Sequence, residues 1–171
     1  MEKIKFNLRK FRKGDEKSLQ ENINDKMISK TTESIPYPYT IKNARYWVRQ
    51  KLKENKQKKP KVSSYVIDID GEVAGSTSFH DINYKHRKSE IGYWLARKYW
   101  NKGIMTNAVK QMVKIGFKDL KLLRIYAYVY AGNNSSGRVL EKAGFKFEGL
   151  LKKYHIKDGK SKDCLLYAKI R

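Results

Sequence analysis

From residue 104 the chain carries its strongest periodic signal. Ile104, Met105, Ala108, Val109, Met112, Val113 and Gly116 fall on one face of a 3.6-residue helix, and Thr106, Asn107, Lys110, Gln111 and Lys114 on the other. The strand-like run "SEIGYWLARKYW" leads directly into it, with only Asn101-Lys102-Gly103 between. A helix so joined must lay its apolar face on a sheet, which limits the chain to mixed α/β architectures. The glycine and lysine at the helix mouth admit two readings. One is an anion site, formed by exposed N–H groups and the positive end of the helix dipole. The other is a loop with a turn glycine.

The remaining elements follow from local pattern. "KIKFNLRKF" alternates Ile4, Phe6 and Leu8 and predicts a first strand. "GDEKSLQENI" predicts a helix with Asp15 as its cap. "SIPYPYT" must be extended or turned, because residues before proline avoid the helical region. Residues 41 to 57 read as a helix with Ala44, Trp47, Val48 and Leu52 on one face. "SSYVIDIDGEVAGSTSFHDI" signals a hairpin about Asp70-Gly71. "RIYAYVY" is a strand with Ile125, Ala127 and Val129 on one side and three tyrosines on the other. "NNSSGRVLEKAGF" reads as a capped helix ended by Gly144, and two strands about Asp158-Gly159 close the chain. With no repeat and no linker, residues 1–171 are expected to form one domain.

Composition narrows the function. Hydrophobic residues make up 40% of 171, and Gly and Pro together number 14, which suits one packed core. No apolar run approaches a membrane span, and the N-terminus does not read as a signal peptide. Cys164 is the lone cysteine; it rules out an internal disulfide framework and fits a reducing cytoplasm. The charge is unusual: 39 Lys plus Arg against 17 Asp plus Glu, a formal +22. Such a field attracts polyanions, a nucleic acid, a ribosome surface or an anionic cofactor among them, although a general lysine bias would produce it too. The lysines between 51 and 61 read as a solvated helix end and loop, with a polyanion contact as the sharper alternative.

Several chemistries are excluded. "GNNSSGRV" has phosphate-loop glycine spacing but places Arg138-Val139 where Lys and Ser or Thr are needed. There is no Gly-x-Ser-x-Gly elbow. His80, His86 and His155 lack metal-ligand spacing, and no metal is expected.

The pieces "IPYPYT", "EIGYWL", "YWNKGIMTNA" and "NNSSGRVLEKAGF", in that order, resemble the GNAT N-acetyltransferase superfamily. Within it they look most like the branch that acetylates N-termini of ribosomal proteins and related amines. The closing Glu148, Gly149, Asp163 and Tyr167 extend the match to the end of the chain. The resemblance implies a mixed, mostly antiparallel sheet of about seven strands with about four helices. It also implies acetyl-CoA as co-substrate, acetyl transfer to an amine, and a monomer or homodimer with possible ribosome association.

In that family a Gln/Arg-x-x-Gly-x-Gly/Ala turn grips the coenzyme A pyrophosphate through backbone N–H groups. Here the turn runs from Lys98 to Gly103, with Lys98 at the Gln or Arg position and Asn101 at the first glycine. Asn tolerates the left-handed conformation best among non-glycine residues. The cofactor-binding residues implied are Leu95, Ala96, Arg97, Lys98, Asn101, Lys102, Gly103, Ile104, Met105, Thr106 and Asn133. Glu90 resembles the family's base and Ser136 its acid; a surface glutamate and a first-turn serine are the plain alternatives, and a tyrosine could serve as the acid instead. Asn133 could equally cap its helix. Tyr37, Tyr39 and Trp47 fall where the branch shapes its acceptor groove.

A non-catalytic binding module for acetyl-CoA or RNA is the rival reading, resting on the charge and the tyrosine-rich strands. For the enzyme, the segments around the expected pocket carry only Glu33, Asp81 and Glu90 as acids. On that count, and on the global charge, the expected acceptor is a peptide or protein N-terminal amine in preference to spermidine.

Overall fold

The computed structural model describes residues 4–171. In chain order the elements are β1 (Asn7–Arg9), α1 (Glu16–Ile23), α2 (Lys26–Thr31), α3 (Ile41–Glu54), β2 (Ser63–Ile69), β3 (Glu72–Asn83), β4 (Lys88–Leu95), a 3-10 turn (Arg97–Tyr99), α4 (Ile104–Lys118), β5 (Arg124–Tyr130), α5 (Asn134–Lys142), β6 (Lys146–Lys157) and β7 (Lys160–Ile170). The strands form one sheet in the order β1-β2-β3-β4-β5-β7-β6. Every pairing is antiparallel except β4 with β5.

That parallel pairing is short. It joins Lys88, Ser89 and Glu90 to Arg124, Ile125 and Tyr126 and goes no further among the described residues. Beyond it β4 stays paired to β3 as far as Leu95, and β5 stays paired to β7 as far as Tyr130. The inner edges of β4 and β5 therefore part in mid-sheet and face each other across an open wedge.

Two cores hold the layers. On one face α4 and α5 cover Phe79, Ile91, Leu95, Ile125 and Ala127, with Met112 and Leu140 fully buried. On the other, α1, α2 and α3 pack Leu19, Ile28, Ala44 and Val48 against Val66 and Val73, with Trp94 at the margin. All seven residues assigned to the apolar face of α4 are buried. The hairpin turns where its sequence demands, with Asp70 at φ 53° and Gly71 at φ 86°.

Four details differ from the sequence reading. There are five helices among the described residues, not four, because α2 was missed. It is six residues long, too short to show periodicity, and is set by Asp25, whose carboxylate accepts from the Met27 N–H at 2.7 Å. Asp15 precedes α1 but does not cap it; its carboxylate is held by the Arg9 guanidinium and the Arg12 N–H, all at 2.8–2.9 Å. The first strand is only Asn7–Arg9, and Lys3 of the predicted run lies outside the described residues. The helix predicted to reach 57 ends at Glu54. Of the lysines between 51 and 61, Lys51 lies inside α3, buried and paired with Glu54 at 2.7 Å.

Candidate active site

The wedge between β4 and β5 opens toward the N-termini of α4 and α5, and two cavities meet there. The larger, about 930 Å³, runs along the 101–106 turn and the start of α5. The smaller, about 410 Å³, is lined by the 31–36 segment, Tyr39 and Trp47. Thr31, Thr32, Tyr93, Trp94, Tyr130 and Ser136 line both.

The larger cavity is built to hold an anion. Gly103 sits at φ 72° and Asn101 at φ 60°, both left-handed, so the chain reverses just before α4 begins. Among the described residues, the backbone N–H groups of Asn101 to Thr106 meet no protein acceptor; the first helical bond runs from Asn107 N–H to Gly103 at 3.1 Å. Six unpartnered donors thus lie at and just before the positive end of a 15-residue helix. Lys30, Lys102, Arg138, Lys142 and Lys162 line the same cavity, which has no Asp or Glu in its wall.

The smaller cavity has the opposite character. Its wall contains Glu33, Asp81 and Glu90 and no Lys or Arg. Glu90 stands beside His80 across β3 and Tyr126 across β5. Burial pushes its carboxyl up to about 7, and the charges of Glu33 and Asp81 push the same way. Burial lowers the His80 imidazole below its ordinary value. A Cβ at residue 92 would stand 3.1 Å from His80 Nε2, so the bare Gly92 backbone gives the imidazole its place.

At the junction, Tyr93 from β4 and Ser136 from the first turn of α5 share a hydrogen bond of 2.8 Å between hydroxyls. The Tyr93 O–H is also 3.2 Å from the Ser136 carbonyl. Asn133 fixes this geometry, accepting from the Ser136 N–H at 3.3 Å as the cap of α5. Burial raises the Tyr93 phenol above its ordinary value, so it stays protonated. The Tyr130 hydroxyl is buried and has no partner among the described residues.

The arrangement is a basic groove meeting an acidic chamber at a pair of hydroxyls. The description "Acetyltransferase (GNAT) domain" matches residues 5–146. The chain belongs to the GNAT acetyltransferase family. It is 33% identical over 102 residues to a putative ribosomal N-acetyltransferase, YdaF of Bacillus subtilis (strain 168), covering 60% of this chain and 56% of that one. It is 34% identical over 87 residues to the spermidine N(1)-acetyltransferase of Escherichia coli (strain K12), covering 51% of this chain and 47% of that one. The chain thus spans about half the length of the curated relatives it matches. Among solved structures it resembles the microcin C7 self-immunity acetyltransferase MccE in complex with acetyl-CoA and AMP, with TM-score 0.87, 25% identity, and coverage of 97% of this chain and 92% of that one.

Of the residues the GNAT resemblance singled out, Leu95, Asn101, Lys102, Gly103, Ile104, Met105, Thr106 and Asn133 line the groove. Ala96, Arg97 and Lys98 do not. Ala96 is buried, Arg97 pairs with Asp25 at 3.3 Å, and Lys98 lies over the Tyr99 ring at 5.2 Å. Glu90, Tyr39 and Trp47 line the chamber. Tyr37 does not; it is exposed, and the Tyr37–Pro38 peptide is cis. Ser136 lies where both cavities meet. Tyr93 and Tyr130 went unnamed in the sequence, where nothing separates them from ten other tyrosines.

Proposed function

We propose that the protein transfers an acetyl group from acetyl-CoA to a primary amine in a ternary complex, and that residues 1–171 form one acetyltransferase domain. The observation that carries this reading is the run of unpartnered N–H groups from Asn101 to Thr106. It gives a diphosphate the donors it needs, and the five basic side chains of the groove supply countercharge. The parted edges of β4 and β5 offer backbone donors and acceptors to an amide-bearing arm reaching from the groove to the junction.

Bound there, acetyl-CoA supplies a thioester carbonyl at the hydroxyl pair. The amine nitrogen forms a bond to the carbonyl carbon, and the carbon–sulfur bond breaks. Glu90, with its carboxyl held near neutrality, takes the ammonium proton through water and releases it to solvent. The Tyr93–Ser136 pair passes a proton to the departing thiolate, and one of the two protons left on nitrogen replaces it, the amide keeping the other. The Tyr130 hydroxyl has a donor free for the carbonyl oxygen. No metal takes part in this scheme. A cytoplasmic setting suits a cysteine that is buried and held up at about 11, well away from its thiolate form.

The acceptor expected from the sequence is the α-amine of a peptide or protein, and the YdaF likeness supports it. A small polycationic amine is the second reading, favoured by the charge of the chamber wall.

Replacing Gly103 with Val tests the cofactor assignment. A β-branched side chain is strained at φ 72° and would project where the diphosphate approaches, although no protein atom lies within 4 Å of it. Acetyl-CoA affinity, measured by calorimetry, should fall about tenfold or more. Unchanged affinity in a folded variant would remove the site.

A further inference from the structure

Two strands set part of the chamber wall in rows. Ser76, Ser78 and His80 from β3 and Trp94, Gly92 and Glu90 from β4 all line the chamber, and the register places them opposite one another in that order. Alternation along each strand puts these side chains on one face. His80 is thus the partner of Glu90, but its ring does not stay in that row. A Cβ at residue 92 would lie 3.1 Å from His80 Nε2 and 3.3 Å from its Cδ2, so the imidazole leans over Gly92, two residues along β4. Two residues of strand span about 6.5 Å. The residue after Gly92 is Tyr93, whose hydroxyl meets that of Ser136 at 2.8 Å. Along the strand, the imidazole therefore stands between the carboxyl of Glu90 and the hydroxyl junction.

The ring is also uncommitted. Among the described residues, the Ser89 hydroxyl donates to the His80 carbonyl at 2.6 Å, but neither ring nitrogen has a hydrogen-bond partner. The Ser78 hydroxyl, opposite Gly92, is taken up with that of Ser64 at 2.9 Å. His80 is half-buried and opens on the chamber. The charged groups that act on it are Lys51 and Glu54 from α3, Asp81 next to it and Glu33 from the 31–36 segment. Burial, then Lys51, hold the imidazole below its ordinary value, and the three carboxylates oppose them. A ring kept neutral near pH 7 has a lone pair to offer and one N–H to give.

We propose that His80 receives the acceptor's ammonium proton and hands it through water to Glu90. The inference rests on the acetyl-transfer reading and supplies a step within it. An N–H bond of the ammonium breaks, and its proton joins the imidazole lone pair, leaving the amine neutral. The imidazolium then gives up a proton through water to the Glu90 carboxylate, which releases it to solvent, so both groups return to their starting charge. Without the ring, the proton must cross from the junction to Glu90 through water alone. An imidazole over Gly92 splits that distance into two shorter transfers.

The test follows thiol release from acetyl-CoA with a panel of peptide amides, amino acids and spermidine as acceptors, and coenzyme A binding by calorimetry. On whichever acceptor the parent turns over fastest, His80→Gln and His80→Ala should each lower kcat by about 10²-fold or more, with coenzyme A affinity unchanged. Added imidazole should restore rate to His80→Ala. Pyrazole, of the same shape but far less basic, should not. Full kcat in His80→Gln would overturn the relay and leave the transfer reading intact. So would a loss carried by KM or by coenzyme A affinity, or a loss in His80→Ala that both rings repair or neither does, since each makes His80 a wall residue only. A parent that binds coenzyme A but releases thiol with none of the acceptors would sink the transfer reading, and the relay with it.

Discussion

Glu90 is the residue whose environment makes the sharpest demand. Its folded-state carboxyl, near 7, lies above its unfolded value, so the folded protein binds that proton more tightly. The resulting stabilisation is fully present below the unfolded value of about 4.5 and is lost as pH rises through about 7. Glu90→Gln, which cannot ionise, should therefore raise Tm relative to the parent at about pH 8 and not at about pH 5. On the proposed mechanism catalysis runs the other way, since a Glu90 base would work only when ionised. The parent's kcat/KM should rise through about pH 7, and the variant should lose that limb along with about 10²-fold or more in rate. A limb that persists in Glu90→Gln assigns the proton to another group, with His80 the first to examine. Stability and activity thus draw on opposite charge states of one side chain. At this scale the sequence was informative where backbone geometry dictates residue type. Asn101 and Gly103 are left-handed as their identities suggested. It was silent on Tyr93, whose partner Ser136 is 43 residues away, since only the folded sheet brings the two hydroxyls together.

Among the elements, α5 brings much of the candidate site together for its length. It is nine residues long, capped by Asn133, and presents Ser136 in its first turn. Both readings of Asn133 are compatible in the structure, because the residue that caps the helix also lines the groove. Asn133→Ala should destabilise the protein by about 1 kcal/mol, the usual worth of a cap. It should also lower kcat beyond what that loss explains, since the first turn loosens and the Tyr93–Ser136 contact with it. A stability loss with kcat unchanged, measured well below Tm, would separate the cap from the chemistry. Long, strongly patterned elements were legible: α4 matched its predicted face at every position, and the β2–β3 hairpin turned at Asp70-Gly71. The six-residue α2 was not, because one and a half turns give periodicity nothing to repeat. Asp15 shows a further limit, since a residue suited to capping was taken by the Arg9 guanidinium, which only the folded chain brings near.

For the whole molecule, net charge averages over two cavities of unlike lining. The sum of +22 hides a basic groove and an acidic chamber that share a wall. Ionic strength should expose this. Raising salt from about 0.05 M to about 0.5 M should raise KM for acetyl-CoA roughly threefold or more, because the groove's attraction for phosphates is screened. KM for a polycationic acceptor should rise over the same range, although its charge is opposite. A fall in acceptor KM with salt would mean that the global field dominates and keeps cations away. No helix among the described residues is long and apolar enough to cross a membrane.

The parting of β4 from β5 has a mechanical meaning as well. Three register pairs, Lys88–Arg124 to Glu90–Tyr126, fasten two half-sheets along a short seam, and α4 packs across it on Phe79 and Ile125. Past the seam, the ladder is interrupted by a gap that a strand-like guest could bridge. A guest that filled it would act as a missing rung, tying the halves together and stiffening both. Amides of residues 91 to 95 that face the gap should then exchange slowly with solvent only while it is filled. On the proposed reading, rigidity would be borrowed from the bound co-substrate and returned at the end of every turnover.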